Sequence, residues 1–132
     1  MSNISDRDIS ILFHIIDYCK YISDDLSTIE YDYSAFLENR MCKNSIGMSI
    51  AQIGELANHL SQDYVDRTKS DVPWNEIRGM RNVIVHNYLG VDIQRMWNTA
   101  ITDIPQLQHF CEKQTQGYVI CEEDEEDEEL KL

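Results

Sequence analysis

Glycine and proline are scarce in this 132-residue chain, with five Gly and two Pro. That scarcity disfavours collagen-like and turn-dense all-β architectures. No apolar run approaches the ~18–20 residues needed to span a bilayer. The opening residues, MSNISDRDIS, have neither the basic start nor the apolar core of a signal peptide. The expected compartment is the cytoplasm. Paired cysteines are also missing. Cys19, Cys42, Cys111 and Cys121 form no CxxC, and His109 with Cys111 has no second pair at zinc spacing. Reduced, mostly buried thiols and no metal site are expected.

Positive charge is the other shortage. Eleven Lys and Arg face 24 Asp and Glu, for a net charge of −13. The run EEDEEDEE at 122–129 supplies eight of the negatives, and residues 1–121 carry −6. Phosphate is repelled by such a field, so broad basic binding of nucleic acid is excluded. Any action on RNA must rest on a local site.

What the chain does have is helical periodicity. Ser5 followed by Asp8 reads as an N-cap with an acidic first turn. Over 6–28, Ile9, Leu12, Ile16 and Cys19 recur at helical spacing beside Ile11, Ile15, Tyr18 and Ile22. The stretch 32–60 carries Phe36, Lys43, Ile46, Ile50, Ile53, Ala57 and Leu60, with Gly47 and Gly54 seven apart on one side. Small residues there would let another helix approach closely. Residues 61–71 read as a polar connection. Pro73 suits the first turn of a third helix over 73–87, with Asp71 as a cap candidate and Gly90 as a stop. Asp92 opens a fourth segment, 91–101. Pro105 then implies either a kink or a new helix capped by Asp103 and running to about residue 113. The expected fold is all-α, an antiparallel up-and-down bundle of four to five helices over 1–114. Residues 115–132 form an acidic tail with no sustained period, expected to be disordered. The alternative is docking of the tail to a basic partner, and deletion of residues 122–132 tests whether the tail acts at all.

Within that pattern most aromatic, His and Met residues take structural roles. His14 and His59 read as helix-surface or edge residues. Trp74 and Trp97 read as core anchors between the third and fourth helices. The methionines read as core filler. Tyr18, Tyr21, Tyr31 and Tyr33 are candidates for a dimer surface that the sequence does not place.

Chemistry concentrates in WNEIRGMRNVIVHNY, residues 74–88. On a helix Arg78, Asn82 and His86 stack one per turn, with Arg81 beside them and Ile77, Met80, Val83 and Ile84 on the opposite side. A guanidinium can grip a phosphate through two parallel hydrogen bonds. An imidazole can move a proton near neutral pH. Together they could cleave RNA without metal: His86 would take the 2′-hydroxyl proton or protonate the leaving 5′-oxygen, and arginine would neutralise the phosphorane. One helix supplies one imidazole, so a two-fold dimer would complete the pair. The same residues also suit an ordinary helix surface, with His86 favoured near the C-terminus by the dipole.

Arg81 to Tyr88, RNVIVHNY, matches the R-x4-H-x-Y signature of the HEPN superfamily. The block from Pro73 to Trp97 and the element IGELANHL at 53–60 resemble the HepT-like toxin branch. The likeness covers about residues 5–113. It implies a dimerising helical bundle with the motif helices lining a shared cleft, and metal-independent endoribonuclease action by the toxin of a toxin–antitoxin pair. Arg81 and His86 take the catalytic positions, with Asn82 and Arg78 in support. An MntA-type nucleotidyltransferase antitoxin would silence the toxin by transferring AMP from ATP to Tyr88. ATP and magnesium would belong to that partner, leaving this chain without a cofactor. The alternative is a non-catalytic helical adaptor that binds a nucleotidyltransferase or a nucleotide.

Overall fold

The computed structural model describes residues 3–86 and 92–119, without the side chains of residues 83, 85 and 86. Among these the chain is an all-α bundle with no strand. Helices α1 (Asp6–Thr28), α2 (Tyr33–Glu38), α3 (Arg40–Asn58), α4 (Gln62–Thr68), α5 (Trp74–His86), α6 (Ile93–Asn98) and α7 (Ile104–Gln114) follow in order, with a π turn at Thr99–Asp103 joining the last two. In the packing, α3 lies between α1 and α5, and α7 lies against α1. None of these helices is long and apolar enough to cross a membrane.

Short polar side chains set the helix starts. Ser5, Asp32, Asn39, Ser61 and Asp92 each accept a backbone N–H from three residues on. Such caps satisfy donors that the helix itself leaves orphaned. Asn39 ends one helix and caps the next, so the expected single stretch at 32–60 is two helices, α2 and α3. The polar connection at 61–71 also contains a helix, α4. It buries Tyr64, Val65 and Thr68, and Thr68 passes hydrogen bonds between α4 and the start of α5. The Thr68 hydroxyl donates to the Tyr64 carbonyl and accepts from the Trp74 indole N–H, both at 2.8 Å. Asp8, buried at the start of α1, accepts from the Ser61 amide at 2.9 Å and the Ser61 hydroxyl at 2.6 Å. That tie fixes α4, and through it α5, against α1.

The kink at Pro105 takes the form of the π turn. Pro105 has no N–H, and its ring would clash with the Ile101 carbonyl in an unbroken α-helix. One wider turn absorbs the conflict, with the Ile104 amide donating to the Thr99 carbonyl. Asp103 makes no side-chain cap bond there.

The core runs through Leu12, Ile15, Ile22, Phe36, Ile46, Ile50, Ile53 and Cys111. Both tryptophans are buried as expected, but among different neighbours. Trp74 lies against Tyr64 and Phe110, whereas Trp97 lies against Tyr33 and Phe36. The methionines divide: Met96 is buried, but Met41 is 79% exposed and Met48 61%. Those two therefore fill no core.

Cys19, Cys42 and Cys111 are free and buried. Burial, with the Glu112 charge, pushes the Cys19 thiol from 9.0 to about 12. Burial raises Cys111 as well, with Cys19 and Glu112 adding to it. These thiols are protonated in the fold where the unfolded chain would have released the protons. Their contribution is fully present below pH 9.0 and is lost as pH rises toward about 12. Urea midpoints are expected to fall between neutral pH and about pH 10. Replacement of both thiols by alanine should flatten that slope, and an unchanged slope would assign it to other groups.

Candidate functional site

The start of α5 is seeded by the Pro73 carbonyl, which accepts from the Glu76 and Ile77 amides at 3.1 Å. Trp74, Ile77 and Ile84 are buried and Met80 is partly buried. This stripe draws α5 onto the bundle. Its other side carries Arg78, Arg81 and Asn82.

Gly54 lets α3 and α5 meet backbone to backbone. A Cβ there would lie 2.9 Å from the Ile77 carbonyl oxygen and 3.1 Å from the Arg81 nitrogen. At Gly47 the neighbours are side chains instead, with Met96 Cε 3.2 Å and Ile84 Cγ2 3.7 Å from where a Cβ would lie. Gly54 thus acts as the sequence suggests, by letting another helix approach closely, whereas Gly47 makes room for side chains.

That approach places Glu55 beside Arg81. Arg81 Nε donates to Glu55 Oε1 at 2.8 Å, and Glu55 Oε2 lies 3.3 Å from His59 Nε2 one turn along α3. Arg81 Nη1 lies 3.5 Å from Asn82 Oδ1, at the outer limit of a hydrogen bond. Arg78 Nε donates to the Ala57 carbonyl at 3.3 Å, in the last turn of α3. Gly54, Glu55, Asn58, Arg78, Gly79, Arg81 and Asn82 line a polar depression of about 230 Å³. Two guanidiniums against one carboxylate leave it cationic within an acidic body, which suits an anion.

Arg78, Arg81 and Asn82 are therefore brought together, facing the C-terminal half of α3. His86 is the last residue of α5, and its side chain lies outside the described residues. So do Tyr88, Gly90 and the acidic run at 122–129. His14 Nδ1 pairs with the Ser10 carbonyl at 2.7 Å within α1. His59 is exposed, as expected of a helix-surface residue, but its contact with Glu55 joins it to the cluster. Among the described residues no group of three or more His, Cys, Asp or Glu comes together to hold a metal.

Sequence reasoning missed Glu55, Asn58 and His59 as parts of the site. Glu55 and His59 are four apart, a spacing that pairs side chains on a helix. Nothing local announces that Arg81 is the other partner. A cavity of about 260 Å³ lies elsewhere, between the start of α5 and α7, lined by Val72, Ile77, Met80, Leu107 and Phe110 among others. Its charged lining is mainly acidic, with Asp71, Glu76 and Asp103 against Arg95 alone, and suits a phosphodiester less well than the depression beside Arg81.

The family model described as Ribonuclease HepT-like matches residues 12–114. A candidate RNase of Methanocaldococcus jannaschii is 28% identical over 105 residues, covering 79% of this chain and 94% of its own. Another candidate RNase of that organism is 31% identical over 108 residues, covering 81% and 90%. A Thermococcus cleftensis protein named probable ribonuclease HepT is 29% identical over 102 residues, covering 74% and 92%. No solved structure matches the chain. A family match over most of the chain, which takes in the helix whose arginines share one cationic depression, places this protein in the HepT-like ribonuclease family.

Proposed function

We propose that this chain is the toxin of a toxin–antitoxin pair, an endoribonuclease that cuts RNA without a bound metal. The observation that carries the reading is the half-exposed Arg81 guanidinium, held beside Arg78 and Asn82 on the helix that ends at His86. In the proposed reaction His86 takes the proton of the 2′-hydroxyl, and the 2′-oxygen attacks the adjacent phosphorus. The 5′-oxygen leaves with a proton, giving a 2′,3′-cyclic phosphate and a 5′-hydroxyl. Arg81 offsets the charge that grows on the phosphorane. A two-fold mate supplies the second imidazole and a second set of arginines. Met41, Met48 and Glu55 stand at seven-residue steps along the outward side of α3, and the two methionines are exposed. That seam supports a second copy packing beside Arg81.

The antitoxin in this reading is a nucleotidyltransferase that carries its own ATP and magnesium. The Tyr88 hydroxyl attacks the α-phosphate of ATP, pyrophosphate leaves, and AMP stays on the tyrosine. A phosphodiester two residues beyond His86 would place an anion and a base near the arginines, in competition with RNA.

Incubation of the pure chain with RNA in EDTA tests the nuclease. Discrete cuts with cyclic phosphate ends are expected. A nucleotide retained without any cleavage would instead favour a non-catalytic adaptor. Intact mass after co-expression with the nucleotidyltransferase tests the switch. The parent should gain multiples of AMP, whereas Tyr88→Phe gains none and stays toxic. The same gain in Tyr88→Phe would mean that another residue is the target.

A further inference from the structure

We infer that Glu55 is a positioning residue for Arg81, an inference that rests on the ribonuclease reading. A guanidinium offers two edges for bidentate contact: one runs through Nε, and the other is the pair of terminal nitrogens. Glu55 accepts from Nε at 2.8 Å and so occupies the first edge. At the terminal edge the contact with Asn82 Oδ1 is long, 3.5 Å. That edge is left to fork onto a phosphate.

Glu55 is itself fixed from two directions. His59 Nε2 meets its second oxygen from the same helix, and Arg81 meets the first from α5. The bare backbone at Gly54 brings the two helices close enough for this contact. Arg78, the other charged group lining the depression, is directed to the Ala57 carbonyl. The pair itself adds little to stability, because the side chains of Glu55 and Arg81 are 42% and 46% exposed. Its effect is therefore on geometry.

Glu55→Ala is expected to fold normally and to lower kcat for RNA cleavage by about ten- to a hundredfold, with KM changed less than about threefold. Glu55→Gln keeps an oxygen for Nε and should recover most of the rate. The double variant Glu55→Ala with Arg81→Ala should be no slower than Arg81→Ala alone. In NMR spectra the Arg81 Nε–H signal should shift and exchange faster in Glu55→Ala, and change little in Glu55→Gln. Glu55→Ala cleaving as fast as the parent, or faster, would overturn the inference, as would additive losses in the double variant or an unmoved Nε–H signal. A parent chain that cuts no RNA would remove the ribonuclease reading, and the NMR arm would still decide whether Glu55 holds Arg81.

Discussion

Arg81→Ala is expected to lower RNA cleavage by about 10²–10³-fold, the scale seen when a preorganised group that stabilises developing charge is removed. The argument is electrostatic. A phosphorane carries more negative charge than the diester from which it forms, and a fixed guanidinium answers that charge without reorganising. Lysine at this position should rescue only partly, because a point charge cannot fork onto two oxygens or be held at Nε by Glu55. His86→Ala should cost a comparable amount by removing the proton carrier. Circular dichroism and thermal midpoints should stay near the parent's in Arg81→Ala, since its ion pair is half exposed and worth little to the fold. Gel assays of a defined RNA in EDTA check the loss. Cleavage at the parental rate by either folded variant would remove that residue from the mechanism.

Gly54→Ala is expected to damage stability and cleavage together. Alanine normally gains about 1 kcal/mol over glycine inside a helix. Here the added methyl would meet the Ile77 carbonyl oxygen at 2.9 Å and the Arg81 nitrogen at 3.1 Å. Both atoms belong to the α5 backbone and cannot swing aside like the tip of a side chain. The helices must part by some tenths of an ångström, at an overpacking cost of about 1–3 kcal/mol. Parting them also shifts Arg81 relative to Glu55, and misplacement of a charged group on this scale can cost up to about 10²-fold in rate. Gly79 provides the contrast on the same helix pair, since a Cβ there meets nothing within 4 Å. Gly79→Ala should therefore raise the thermal midpoint while Gly54→Ala lowers it. If both variants stabilised the chain, the close contact at Gly54 would be ruled out.

Much of this architecture is written in short-range chemistry. Ser5 and Asp92 mark helix starts because a cap is a local bond to an amide three residues ahead. The α5 stripe is legible for the same reason, since Trp74, Ile77 and Ile84 share a face whatever lies opposite. Asn39 escapes notice because the apolar row continues past it and hides the break between α2 and α3. The π turn escapes because Pro105 forbids an ordinary helix without dictating which alternative replaces it. Exposure of Met41 and Met48 is equally hidden, because composition does not say which side of α3 is covered. At the site, spacing assembles Arg78, Arg81 and Asn82 on one helix. The carboxylate that orients Arg81 comes from another helix, and only the packing at Gly54 reveals it.

The placement of the two tryptophans gives the molecule native optical reporters. Trp74 heads the motif helix, with its indole N–H on Thr68, while Trp97 lies against Tyr33 and Phe36. Between them in sequence run all of the arginines, the imidazole and the tyrosine implicated in chemistry and silencing. Single-indole chains carrying Trp74→Phe or Trp97→Phe would let fluorescence time a local loosening of that segment separately from global unfolding.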